Sequence, residues 1–160
     1  MEEHPWKGYK YAFAFQTSKL IGTKAHSGWS IATIDPDSTT LLHSPDISDV
    51  KLGEFVCQSL RESQAWSFEK GRSYLHDRTP YETWVGDLMV FGGDKSPKAA
   101  TRNLKEVLIY SYDGQIVFIP SRNKRGAFEG LSKEFHVIVP EDSAKADIGA
   151  ALRLAFERSM

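Results

Sequence analysis

The 160-residue chain holds one cysteine, Cys57, which leaves no partner for an internal disulfide and nothing that points to an oxidising compartment. No apolar run approaches the roughly 18 residues of a membrane-spanning helix. The opening MEEHPWKGYKY is charged and aromatic and lacks the apolar core of a secretory signal. The cytoplasm is therefore the expected location. An excess of charge is missing as well. With 20 Lys and Arg against 21 Asp and Glu the net charge is −1, so there is no overall basic footprint for nucleic acid. Neither GxxxxGK[ST] nor GxGxxG occurs, and no GxSxG elbow does. Gly92-Gly93-Asp94-Lys95-Ser96 follows a predicted helix instead of opening one, so it reads as a helix stop. The histidines (His4, His26, His43, His76, His136) form no HExxH pair and no pair at helical spacing, and one cysteine makes no zinc knuckle. No metal and no cofactor are expected. Internal repeats and low-complexity segments are absent.

What remains is an ordinary globular composition, 41% hydrophobic and 26% charged, long enough to bury a core as a single domain over residues 1–160. Its clearest stretch is Leu104–Pro120, LKEVLIYSYDGQIVFIP. Asp113-Gly114 tolerates the positive φ of a two-residue type I′ turn, and the flanking apolar runs predict two central strands, the second ended by Pro120. Tyr9–Thr17 alternates, with Tyr9, Tyr11, Phe13 and Phe15 on one face of a strand. Gly28–Ile34 predicts a second strand, Thr39–His43 a short one, and Phe135–Val139 another ended by Pro140. Residues 121–134 read as a polar loop containing Gly126 and Gly130. Its cations Arg122, Lys124 and Arg125 are read as a solvated cluster.

Three helices are predicted. The first spans about 49–63, capped by Ser48, with Leu52, Phe55, Val56, Ser59 and Leu60 on one face. The second starts at the box Thr79-Pro80-Tyr81-Glu82, carries Trp84, Val85 and Leu88 inward, and stops at Gly92-Gly93. The third closes the chain with Ile148, Ala151, Leu152 and Ala155 as its stripe, capped by Asp142 or Ser143. Ala65–Arg78 fits no regular period, and Ser96–Asn103 reads as a basic connector. Strands in hairpins with intervening helices give an α+β fold: a mostly antiparallel central sheet with about three packed helices. Of the four tryptophans, Trp84 belongs to a helix core face. Trp6, Trp29 and Trp66 fall beside segments not assigned to the core, where aromatics serve as interface anchors or simply cover the sheet. No catalytic apparatus is visible, which favours a binding protein over an enzyme.

Three stretches together resemble the immunity proteins of contact-dependent growth inhibition systems, the CdiI type. They are LGEFVCQSLRES from Leu52 to Ser63, the hairpin Leu104–Pro120, and VIVPEDSAKADIGAALRLAFER from Val137 to Arg158, whose strand, Pro, acidic turn and IG.ALR.A pattern is the most specific of the three. The resemblance implies a non-enzymatic cytoplasmic protein that binds and neutralises the cognate C-terminal toxin domain of a CdiA effector, in many such systems a nuclease. It implies no nucleic-acid or membrane partner. It carries over no contact residues, so these rest on chemistry. Asp35, Asp37, Asp46 and Asp49 lie in turns flanking His43 and the first helix, near Trp29. An acidic rim with an aromatic anchor suits a basic partner, and the same aspartates serve equally as turn formers and caps. The competing class is a small hydrolase or nuclease-like enzyme using His43 or His76 with a carboxylate. A sheet-lined pocket with converging His and acid groups would support it, and a flat surface the binder. Charge reversal at Asp35 and Asp37 is expected to slow association with the toxin at low salt. Unchanged association rates by surface plasmon resonance would remove this patch as the contact.

Overall fold

A computed structural model describes residues 3–125 and 127–160; Gly126, read above as part of a polar loop, lies outside them. Alternation along the first strand sets the layers. β1 (Lys10–Gln16) points Ala12 and Ala14 to one side of the sheet and Phe13 and Phe15 to the other. It lies mid-sheet between β2 (Ile21–Gly28) and β5 (Lys105–Tyr112). β3 (Ala32–Ile34) and β4 (Leu41–His43) share the outer edge of β2. Beyond β5 comes β6 (Gln115–Lys124), whose outer edge is shared by β7 (Ala127–Gly130) and β8 (Val137–Pro140). All these pairings are antiparallel, so among the described residues the sheet has eight strands.

The Asp-Gly hairpin forms as expected. Asp113 (φ 50°) and Gly114 (φ 77°) make the turn, and Tyr112 faces Gln115 across it. Pro120 does not end the strand. From the two-residue turn outward, bonded and non-bonded pairs alternate, which makes Val107–Pro120 a non-bonded pair and aims the proline nitrogen at the outer edge. There β8 pairs only with 115–118 and β7 only with 121–124, so the missing N–H falls in the gap between two partners. The expected loop 121–134 is instead the end of β6, a hairpin into β7 with Arg125 at φ 54°, and a 3-10 turn at Lys133–Phe135.

The three expected helices are α1 (Asp49–Glu62), α3 (Thr79–Gly92) and α5 (Lys145–Arg158), joined by two short ones, α2 (Phe68–Tyr74) and α4 (Pro97–Ala100). Ser48, Ser67 and Ser96 cap α1, α2 and α4 by accepting from the N–H of Lys51, Lys70 and Ala99. Thr79 is not a cap. It stands inside the first turn of α3, and Asp77 accepts from its N–H at 2.9 Å. Nor does Ser143 cap α5; its hydroxyl donates to the Pro140 carbonyl at 2.7 Å. Gly93, at φ 69°, ends α3.

α1 and α5 cover the face carrying Ala12, Ala14, Val107, Ile109, Ile116 and Phe118. α3 covers the opposite face, where Trp84 stands edge-on to Phe13 and Phe15 at 5.3 and 5.1 Å. α1 and α5 approach closely enough that a Cβ on Gly53 would overlap the Lys145 carbonyl, and one on Gly149 the Asp49 carbonyl. Each glycine faces backbone of the other helix, so neither neighbour yields by rotating a side chain. Gly53→Ala and Gly149→Ala are expected to destabilise the fold by about 1–3 kcal/mol or more in urea melts. Gly86→Ala, with nothing near its Cβ on α3, should stabilise it by roughly 0.4–1 kcal/mol. Equal effects at all three positions would refute the close crossing.

Candidate interaction surface

Trp29 follows β2 directly and stands in an apolar groove of about 280 Å³ formed with Ile31, Thr33, Phe68, Gly71 and Leu75. Ile31, Phe68 and Leu75 are 59%, 55% and 44% exposed, large apolar groups that the fold leaves in solvent. Trp29 is held in place from two sides. His4 and Phe68 meet its ring edge-on at 4.7 and 5.9 Å, and Gly71 lets α2 lie against its Cβ. The segment 65–78, which showed no period, is tied to the sheet by backbone: Ala65 bridges Gly28, and the Trp66 N–H donates to the Gly28 carbonyl at 2.8 Å. Trp6 and Trp66 belong to the interior. Both are 4% exposed, Trp6 packed on Tyr11 and Trp66 on Tyr74. Phe68 was missed by sequence reasoning, although Ser67 before it is a recognisable cap.

The four aspartates divide. Asp35 is 3% exposed and accepts from the Ser27 hydroxyl and the Asp37 N–H, so it is a buried turn former. Asp37 is exposed, with its nearest cation, Lys70, at 4.0 Å. Asp46 is exposed, takes a bond from the Ser44 hydroxyl and lies 3.9 Å from His43 Nδ1. Asp49 pairs with Arg153 at 2.7 Å, and that guanidinium also donates to the Pro45 and Ile47 carbonyls. The strand β2 separates these groups. Trp29 follows its Gly28 end, while His43 pairs opposite Ile21, roughly 23 Å away at about 3.3 Å per residue. Trp29 and Asp37 share the neighbourhood of α2. His43, Asp46 and Asp49 gather at the start of α1.

The surface is not flat. A second cavity, about 540 Å³, opens on the α3 face of the sheet, lined by Phe13, His26, Tyr81, Trp84, Glu106 and Phe128 with Lys98 and Arg102. Burial pushes the His26 imidazole down to about 4 and the Glu106 carboxyl up to about 7. These two do not form an acid–base pair. His26 is opposite Tyr11 and Glu106 opposite Phe15 on the two sides of β1, which separates their Cα atoms by about 16 Å. His43 and His76 stand apart from this cavity and from each other, His43 on β4 and His76 on the exposed link between α2 and α3. Among the described residues no group of three or more His, Cys, Asp or Glu is placed to hold a metal, and no helix is long and apolar enough to cross a membrane.

This architecture is found in immunity proteins. The chain is similar to one component of the solved CdiA-CT/CdiI toxin and immunity complex from Yersinia pseudotuberculosis, with a TM-score of 0.82 and 28% identity over 95% of this chain and 98% of that one. A solved protein of unknown function from Neisseria meningitidis has a TM-score of 0.88 at 25% identity, covering 95% of this chain and 96% of that one. The immunity protein CdiI-YPIII of Yersinia pseudotuberculosis serotype O:3 (strain YPIII) is 28% identical over 92% of this chain and 94% of its own length. The model of the CDI immunity protein family, CdiI, matches residues 10–159, and the chain belongs to that family.

The cavity groups leave a signature in stability. The folded pKa of Glu106, about 7, lies above its ordinary 4.5, so the folded protein keeps a proton that the unfolded chain releases. Its contribution to stability therefore falls as pH rises from 4.5 to 7 and stays low above that. His26 works in the opposite direction, losing stability as pH falls from 6.5 towards 4. Glu106→Gln removes only the first effect. It should match the parent near pH 4 and exceed it by about 1–3 kcal/mol at pH 8 in urea denaturation. The same difference at both pH values would show that the carboxyl is not held protonated.

Proposed function

We propose that this chain binds the C-terminal toxin domain of a cognate CdiA effector and neutralises it, acting as a single non-enzymatic domain in the cytoplasm. The observation that carries the reading is a match to nearly the whole of a chain in a solved toxin–immunity complex, 98% of its length, within a family matched over residues 10–159. The chemistry of the surface is consistent with it. Trp29, with Ile31 and Phe68, offers an apolar anchor already fixed in position, the kind of cluster that dominates binding energy at interfaces. Asp37 and Asp46 project into solvent and suit a basic partner, where exposed charge acts mainly on encounter rate. His43 and Asp49 flank Asp46 at the start of α1 and complete the proposed contact. Asp35 acts on it only through the turn that presents Asp37.

Co-expression with a cognate CdiA C-terminal toxin domain tests the function. The expected outcome is a complex that survives purification and cells that grow while the toxin is made. Loss of both would overturn the proposal. Within a complex, Trp29→Ala and Phe68→Ala are each expected to weaken binding by about 2 kcal/mol, roughly 30-fold, through faster dissociation. Asp37→Lys with Asp46→Lys should instead slow association several-fold at low salt. Parent-like rates in all of these variants, measured by surface plasmon resonance, would place the contact elsewhere.

A further inference from the structure

The cavity on the α3 face has no part in the proposed contact, and its lining is chemically specific. Its volume, about 540 Å³, is in the range of small-molecule sites. Four flat rings, Phe13, Tyr81, Trp84 and Phe128, form its walls. Lys98 and Arg102, both exposed, line it without an ion pair among the described residues. The Trp84 ring is 4% exposed, and its indole N–H is the only buried side-chain polar atom among the described residues with no hydrogen-bond partner.

We propose that this cavity binds a small flat aromatic molecule carrying a phosphate or carboxylate, its ring between the aromatic walls and its anion on Lys98 and Arg102. The electrostatics favour this guest over a cation. Glu106 is held largely uncharged below neutral pH and His26 is neutral there, so the permanent charges of the lining are the two positive ones. The Trp84 ring offers the guest an aromatic face. Arg102 adds a planar fork suited to either anion. The inference is independent of toxin neutralisation.

Titration of the isotopically labelled protein with AMP, benzoate, adenosine and inorganic phosphate, followed by NMR, tests it. AMP or benzoate should shift the Trp84 indole N–H and the amides of 98–102 saturably. Saturation by AMP assigns the phosphate form, and by benzoate the carboxylate form. Lys98→Ala with Arg102→Ala should weaken that binding about tenfold or more, and Trp84→Phe by several-fold. Both variants must melt as the parent does and still co-purify with the toxin domain, which keeps this test separate from the functional one. If Trp84→Phe misfolds, the double variant of exposed residues still decides. No saturation by either anion up to about 10 mM, adenosine binding as tightly as AMP with benzoate silent, or binding unchanged in the double variant would each overturn the proposal.

Discussion

The close crossing of α1 on α5 is the constraint from which most of the molecule follows. Gly53 and Gly149 carry no Cβ where one would run into the opposite helix's backbone. The helices then act as one layer, with Leu52, Val56 and Leu60 beside Ile148, Leu152 and Phe156 over the sheet. Two helices pressed together leave little depth above the central strand, and β1 meets them with Ala12 and Ala14. The same crossing brings the start of α1 within reach of Arg153, which bonds Asp49 and the Pro45 and Ile47 carbonyls. The link carrying His43 and Asp46 is thus anchored by a side chain from the last helix, about a hundred residues away in sequence.

The other face is built differently because a single long helix covers it. β1 supplies Phe13 and Phe15 there, and Trp84 fills the angle between them. α3 reaches only one end of that face. At the other end Tyr9, just before β1, stacks on Tyr112 of β5 at 4.0 Å and on Tyr11 of β1 at 5.8 Å. Trp6 continues the series from Tyr11 towards His4 and Trp29. One end of the sheet is therefore ordered by ring contacts, and Trp29 is the last rigid member of that series before solvent.

What was legible in the sequence was periodic or local. The Asp113-Gly114 turn, the Ser48 cap and the stripe of α5 all depend on residues close in the chain. The LG and IG patterns were readable as structural, but their reason, a carbonyl from the opposite helix, exists only in three dimensions. α2 and α4 escaped because seven and four residues are too few to show a period. Pro120 misled because its missing N–H is harmless in a gap between two partner strands. The proposed contact groups were the least legible. Asp35 and Asp37 are two residues apart with the same turn chemistry, and only tertiary position buries one and exposes the other. Glu106 was not singled out in the sequence, because its cavity arises from α3, α4 and β7 together.

These placements separate two kinds of group in the proposed contact. Trp29 is immobilised before any partner arrives, by His4, Phe68 and the close approach of Gly71, and α2 itself is pinned through Gly28. A rotamer already fixed spares about 0.5–1.5 kcal/mol of ordering on binding, which lowers the dissociation rate of any complex that uses it. Asp37 and Asp46 sit on turns with exposed carboxylates and only long ion pairs, at 4.0 and 3.9 Å. Such charges contribute little to affinity while they stay exposed to water but act at long range during approach. In the proposed contact, an apolar groove setting residence time and acidic turns setting encounter rate need not lie side by side. Their separation along β2 is therefore compatible with one partner broad enough to span both, since a standard interface covers about 800 Å² per side.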